Sequence, residues 1–336
     1  MKILSYLQNG FEYAGLLHQN LVYPLEVLHP NLPLTMSMVL AHWTDNYAYL
    51  LNAQQMLNNG QVNQLKGVAL SDLKIISPIP FPPSCRDGYA FRQHVAAARR
   101  NRGLGMIPEF DQYPIFYFMN HNAIQGPGQI LCMPDHFEKL DFELEVAVVI
   151  GKQGRNIKAA DADQYIAGLT IMNDMSARRL QMEEMLLNLG PAKGKDFCTT
   201  LGPWLVTLDE LAAFETTCKP NHTGKAWNLT MKCFVNNIQV SEGNVADMDW
   251  TFAEIIERAS YGADIFAGDV IGSGTCGTGC FLELNGTAQL ADTNAVAQWL
   301  QPDDVVRLEI DNLGVLENTI IADATDWSIL GQKKNV

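Results

Sequence analysis

Two glutamates separated by one leucine, Glu143-Leu144-Glu145, stand at the head of the apolar run Val146-Ala147-Val148-Val149-Ile150. Side chains alternate along an extended chain, so Asp141, Glu143 and Glu145 are expected on one face and Phe142, Leu144 and Val146 on the other. Carboxylates beside a core repel each other and resist ionising unless a cation lies between them. Oxygen ligands of this kind suit magnesium, calcium or manganese. Asn173-Asp174 closes a second apolar segment, and Asp87 follows a proline-rich stretch. Each of these acids has a plainer reading when taken singly. Glu143 and Glu145 could line the exposed face of an edge strand, and Asp87 and Asp174 could be turn or cap residues.

Three further positions could do chemistry. His94 lies in Phe91-Arg92-Gln93-His94, where a lone histidine is commonly structural or exposed. Lys195 lies in the glycine-containing loop 190–197, where Lys193 is its competitor. Thr275 closes Gly272-Ser273-Gly274-Thr275, a stretch in which backbone can approach an anionic ligand closely. It lacks the Gly-Lys-Ser/Thr ending of a phosphate loop.

The elements that must position these residues read as mostly β. Residues 141–150 form a strand entering a core, 161–167 a short helix and 169–172 a strand. A hairpin turns at Asn236-Asn237 within 228–240, and 251–261 is helical. Glycine-punctuated strands are expected at 268–275, 280–290 and 305–322. Residues 1 to about 70 mix short strands with apolar segments such as 35–57 that could be helical. The segment Ser77-Pro78-Ile79-Pro80-Phe81-Pro82-Pro83 reads as an extended linker. The expected class is α+β, mostly β, with a small N-terminal domain at 1–72 and a larger domain at 73–336. Strands and helices do not alternate regularly, so a doubly wound sheet is not expected.

Composition narrows the function. Among 336 residues, 47% are hydrophobic and 18% charged, a globular profile. The formal net charge of -14 disfavours a nucleic-acid partner. No apolar stretch reaches the roughly 18 residues that would suggest a membrane span. The start of the chain does not read as a signal peptide. Seven dispersed cysteines suit reduced thiols in a cytoplasmic setting.

In order along the chain, these segments resemble the fumarylacetoacetate hydrolase (fumarylacetoacetase) family. Asp87-Gly88-Tyr89-Ala90-Phe91-Arg92-Gln93-His94 resembles its D-x-Y-x-x-R-Q-H segment, and Asp141 to Glu145 its D-x-E-x-E strand. Asn173 to Gln181 resembles its N-D-x-S-A-R-x-x-Q segment, and Leu189 to Trp204 its lysine loop. Gly272 to Thr275 and Phe281-Leu282-Glu283-Leu284 also fit. The resemblance covers about residues 75–325. It implies a mixed β-roll catalytic domain and a divalent cation, magnesium first, held by Asp87, Glu143, Glu145 and Asp174 with Thr199 beside them. It implies His94 as general base oriented by Glu283, Lys195 as a catalytic cation, and Tyr89, Gln181, Thr275 and an arginine, Arg102, as substrate contacts. The implied activity is hydrolysis of a C–C bond in a small 1,3-diketo acid such as fumarylacetoacetate, in aromatic amino acid (tyrosine) catabolism, by a homodimer. Acylpyruvate hydrolases, decarboxylases and isomerases resemble this pattern too, and a catalytically silent metal-binding scaffold is the alternative of a different class. At position 185 this chain has methionine where the fumarylacetoacetate-cleaving members have tyrosine.

Overall fold

The computed structural model describes residues 1–63 and 66–334. A 12-stranded mixed sheet forms the spine, and a 5-stranded sheet packs beside it. The central strand Leu144–Ile150 pairs antiparallel with Ile166–Asp174 on one side and with Val270–Gly272 on the other. Its unbroken apolar sequence has a simple cause. Val146, Val148 and Ile150 face the core shared with the 5-stranded sheet, while Ala147 and Val149 face the core shared with the N-terminal helices. A strand covered on both faces has no solvent side to make polar.

The spine continues through Ile166–Asp174 to Thr199–Thr207 and on to Lys2–Gln8. The N-terminal strands Phe11–His18 and Leu21–Pro24 follow in order. The first part of the chain therefore extends the main sheet, and among the described residues no closed barrel forms. Helices Met36–Ala41 and Trp43–Asn58 cover one face, in the segment expected to be helical. A boundary between residues 72 and 73 is a proposal about independent folding.

The hairpin expected at Asn236-Asn237 joins Thr230–Val235 to Ile238–Asn244, and both asparagines take positive φ, 51° and 64°. Asparagine tolerates that backbone better than most residues, which is why the pair marks the turn. Helix Phe252–Ser260 begins with a Thr251/Glu254 capping box.

Two sequence expectations are corrected. Residues 280–290 are helical, in Phe281–Ala291. Their glycine punctuation suggested a strand, but leucine, glutamate, alanine and glutamine are good helix formers, and Asp141 accepts from the first amides of the helix. The strand expected over 141–150 is broken at Phe142-Glu143 into Leu140–Asp141 and Leu144–Ile150. Asp141 consequently does not join the other two acids: its oxygens accept from Arg178 and from the amides of Phe142, Phe281 and Leu282.

Candidate metal and acid–base site

Strand register assembles the acidic cluster. Asp87 is the third residue of the strand Cys85–Gly88, which runs parallel to Val270–Gly272 with Asp87 opposite Gly272. That approach requires glycine, since a Cβ at 272 would come within 2.5 Å of the Asp87 carboxylate. Glu145 lies on the next strand, opposite Met172, and Glu143 is fixed just before it by its backbone N–H, which donates to Asn173 Oδ1 at 2.9 Å. Asp174 closes Ile166–Asp174, opposite Thr199. Asp87, Glu143, Glu145 and Asp174 are all buried, and each offers an oxygen within 4.8 Å of the others'. The reading of Glu143 and Glu145 as an exposed edge face is thereby excluded.

Cationic groups compensate only part of this charge. Lys195 Nζ donates to Glu143 Oε2 and Asp174 Oδ2, each at 2.6 Å. Burial opposes its charge, but Asp174 and Glu143 outweigh burial and raise its pKa. Burial would also raise the carboxyl of Glu143, yet Lys195 and Arg178 hold it down at about 2. The other acids go the opposite way. Burial and then Asp174 push Asp87 up to about 8. Burial lifts Asp174 to about 6 against the pull of Lys195. Glu145 is driven well above the carboxylate range by burial and by Asp87, Glu143 and Asp174.

A divalent cation fits this donor set. Glu145 Oε2 and Asp174 Oδ1 are buried and without a hydrogen-bond partner, an arrangement costly for a carboxylate unless something positive meets it. The donors are all oxygen, which matches magnesium, manganese or calcium. The buried Thr199 lies beside Asp174 in register.

Next to the cluster is an acid–base pair. His94, on helix Arg92–Arg100, meets Glu283, on Phe281–Ala291, with Nδ1 and Oε2 2.6 Å apart; both are buried. When Nδ1–H donates to Glu283, Nε2 carries the lone pair. The Tyr89 ring stands edge-on to His94 with centroids 6.2 Å apart. Burial raises the pKa of the Tyr89 hydroxyl; Arg102 and Arg99 counteract this, and Glu143 adds to it. Arg102 itself is exposed, with Nε on the Ala98 carbonyl. Thr275 Oγ1 is 3.5 Å from Glu145 Oε1. Gln181 Oε1 accepts from Arg178 Nη1 at 3.0 Å. Lys193, the competitor of Lys195, is exposed and pairs with Asp196.

Two groups at the site received no role from sequence. Tyr117 donates its hydroxyl to Asp174 Oδ2; Tyr117 lies in no motif, and only its register opposite Asp87 brings it there. Arg178 was visible within its motif, but its contacts with Asp141 and Glu143 depend on burial that the motif does not reveal.

The profile of the "Fumarylacetoacetate (FAA) hydrolase C-terminal" family matches residues 84–321. The chain belongs to the fumarylacetoacetate hydrolase family. Among family relatives, it is 28% identical over 326 residues to a Dictyostelium discoideum fumarylacetoacetate hydrolase domain-containing protein 2 homolog, covering 95% of this chain and 97% of that one. It is 30% identical to the human mitochondrial oxaloacetate tautomerase FAHD2B, over 89% of this chain and 84% of that protein. The match to human FAHD2A is 34% identical but spans 62% of this chain and 59% of that protein. Fumarylacetoacetate hydrolase from Exiguobacterium antarcticum shares the fold, with a TM-score of 0.68 at 22% identity, covering 96% of this chain and 100% of that one. A probable 2-hydroxyhepta-2,4-diene-1,7-dioate isomerase from Mycobacterium abscessus does so at TM-score 0.67 and 22% identity, over 97% of this chain and 100% of that one. Family members thus bear the names of hydrolases, isomerases and tautomerases. Several relatives are named as mitochondrial, so a cytoplasmic location does not follow from the family. Among the described residues no helix is long and apolar enough to cross a membrane.

Proposed function

We propose that this chain is a divalent-cation-dependent enzyme that moves a proton on a short keto acid, interconverting the keto and enol forms of an oxaloacetate-like dicarboxylate. The observation that carries the reading is the His94–Glu283 pair, 2.6 Å apart, beside a buried cluster of four acids. Asp87, Glu143, Glu145 and Asp174, with Thr199 beside them, would hold the cation. When bound, the cation supplies Lewis-acid polarisation of the substrate's carbonyl oxygen. His94 Nε2 removes the proton from the carbon next to that carbonyl, and Glu283 accepts from Nδ1–H and stabilises the imidazolium. The imidazolium then returns its proton to the enolate oxygen. Lys195, held by Glu143 and Asp174, keeps a positive charge near the developing oxyanion. Tyr89, Gln181, Thr275 and Arg102 would orient the acid's polar groups. Relatives named oxaloacetate tautomerases support this choice of substrate.

Hydrolytic cleavage of a 1,3-diketo acid such as fumarylacetoacetate is the second reading. The same imidazole favours it, since Nε2 could instead take a proton from water. The presence of Met185, exposed at the end of helix Arg178–Met185, where the cleaving enzymes have tyrosine, places this reading second.

The test is a side-by-side assay of magnesium-loaded protein with and without chelator. Chelator-sensitive loss of the oxaloacetate enol absorbance above the buffer rate is the expected result. Cleavage of fumarylacetoacetate or acetylpyruvate into two acids, without tautomerisation, would establish the second reading instead. Inactivity toward all three in folded, metal-loaded protein would overturn both. A homodimer is part of the proposal, and light scattering in solution tests it.

A further inference from the structure

Asp141 and Arg178 are the two fully enclosed charged residues of the recognised motifs that the proposed chemistry does not use. Arg178 is 2% exposed and Asp141 0%. The short antiparallel pair Leu140–Asp141 and Ser176–Ala177 sets Asp141 opposite Ser176, which leaves Arg178 at the start of the next helix within reach. The guanidinium then serves three acceptors at once. Nε donates to Asp141 Oδ2 at 2.9 Å, Nη2 to Glu143 Oε1 at 2.8 Å, and Nη1 to Gln181 Oε1 at 3.0 Å. A planar fork can hold three such bonds in fixed directions, whereas an ammonium on a flexible stem cannot.

Asp141 carries the connection onward. Helix Phe281–Ala291 starts at Cys280, whose side chain provides no cap. Asp141 caps it instead: Oδ1 accepts from the Phe281 amide at 2.7 Å and Oδ2 from the Leu282 amide at 2.9 Å. The next residue is Glu283, the partner of His94. One unbroken chain of charge-assisted bonds therefore runs from Glu143, in the cluster, through Arg178 and Asp141 to the turn bearing Glu283. Such bonds are roughly twice as strong as neutral ones and are directional. A helix start tied to a buried ion pair cannot shift without stretching the bond to Glu143.

We infer that Arg178 and Asp141 are positioning residues that fix the His94–Glu283 pair relative to the cation-binding acids, so that disturbing either one moves both parts of the site together. The inference rests on the proposed cation site and acid–base pair, and its test needs no substrate. The variant Arg178→Lys keeps the charge and loses the fork; Arg178 is compared with its exposed neighbour through Arg179→Lys. Two readouts are taken: the downfield proton resonance of His94 Nδ1–H in metal-free protein, and Mn2+ affinity by titration. Arg178→Lys is expected to shift or broaden the His94 signal and to weaken Mn2+ binding about 10–100-fold, the range seen when groups behind metal ligands are changed. Arg179→Lys should alter neither. If Arg178→Lys does not fold, Asp141→Asn decides on the same readouts, since its single amide oxygen cannot serve both the Phe281 amide, now at Oδ1, and Arg178 Nε, now at Oδ2. A variant that is only less heat-stable, with both readouts unchanged, overturns the inference; so does movement of one readout alone, because the two parts would then be independent. Should wild type turn over none of the keto acids, the proposed reaction fails while these two measurements still decide the coupling.

Discussion

His94 and Asp174 have separable jobs, and single substitutions should separate them. His94→Ala removes the base but no carboxylate, so turnover of the substrate should fall about 10²–10⁴-fold with cation stoichiometry unchanged by calorimetry. Near-normal turnover would refute the assignment. Asp174 stands among the cluster oxygens while accepting from Lys195 and Tyr117. Asp174→Asn leaves the shape and removes the charge. It should abolish measurable magnesium or manganese binding together with activity, and retained stoichiometric metal would exclude Asp174 as a ligand.

Lys195 depends on an element with little regular structure of its own. Its loop is held to helix Arg178–Met185 through Glu184, whose carboxylate accepts from the amides of Ala192, Lys193 and Gly194 at 2.9, 2.8 and 3.2 Å. Bonds from amides to a carboxylate are among the stronger ones and satisfy backbone that would otherwise compete for water. Glu184→Ala should free the loop and let Lys195 drift from Glu143 and Asp174. The expected loss is about tenfold in kcat, or ~1.4 kcal/mol in the barrier, measured by steady-state kinetics beside a melting curve. A lowered melting temperature with unchanged kcat would mean that the contact only stabilises the loop.

At the scale of the whole molecule, the cluster links stability to pH. Asp87 at about 8, Asp174 at about 6 and the strongly raised Glu145 all bind protons more tightly folded than unfolded. Stability therefore falls as pH rises from the unfolded carboxylate range, near 4, through these folded values. Glu143, held at about 2, and Lys195, raised above its usual range, do not titrate between pH 5 and 8, so their contributions stay constant there. Chelated protein should melt at a lower temperature at pH 8 than at pH 5. Saturating magnesium binds the native state and should raise the melting point more at pH 8 than at pH 5. Equal magnesium shifts at both values, followed by calorimetry, would show that these carboxyls do not bind the ion.

Much of this arrangement was legible in order along the chain. The spacing of Glu143 and Glu145 before an all-apolar run identified a strand at a core, and the Asn236-Asn237 turn identified a hairpin, because strand periodicity and left-handed backbone preference are local properties. The order of the motifs carried the family. Other features needed the tertiary structure. The stretch 280–290, glycine-punctuated and expected as a strand, is a helix whose start is capped by Asp141, 140 positions away from Phe281 in sequence. Asp141 was expected on the face of Glu143 and Glu145, but the break at Phe142-Glu143 turns it toward Arg178. Tyr117 reached Asp174 only through the strand register that sets it opposite Asp87. Residue types and local spacing lie in the chain itself, whereas charge compensation and burial are set by which distant segments the sheet brings together.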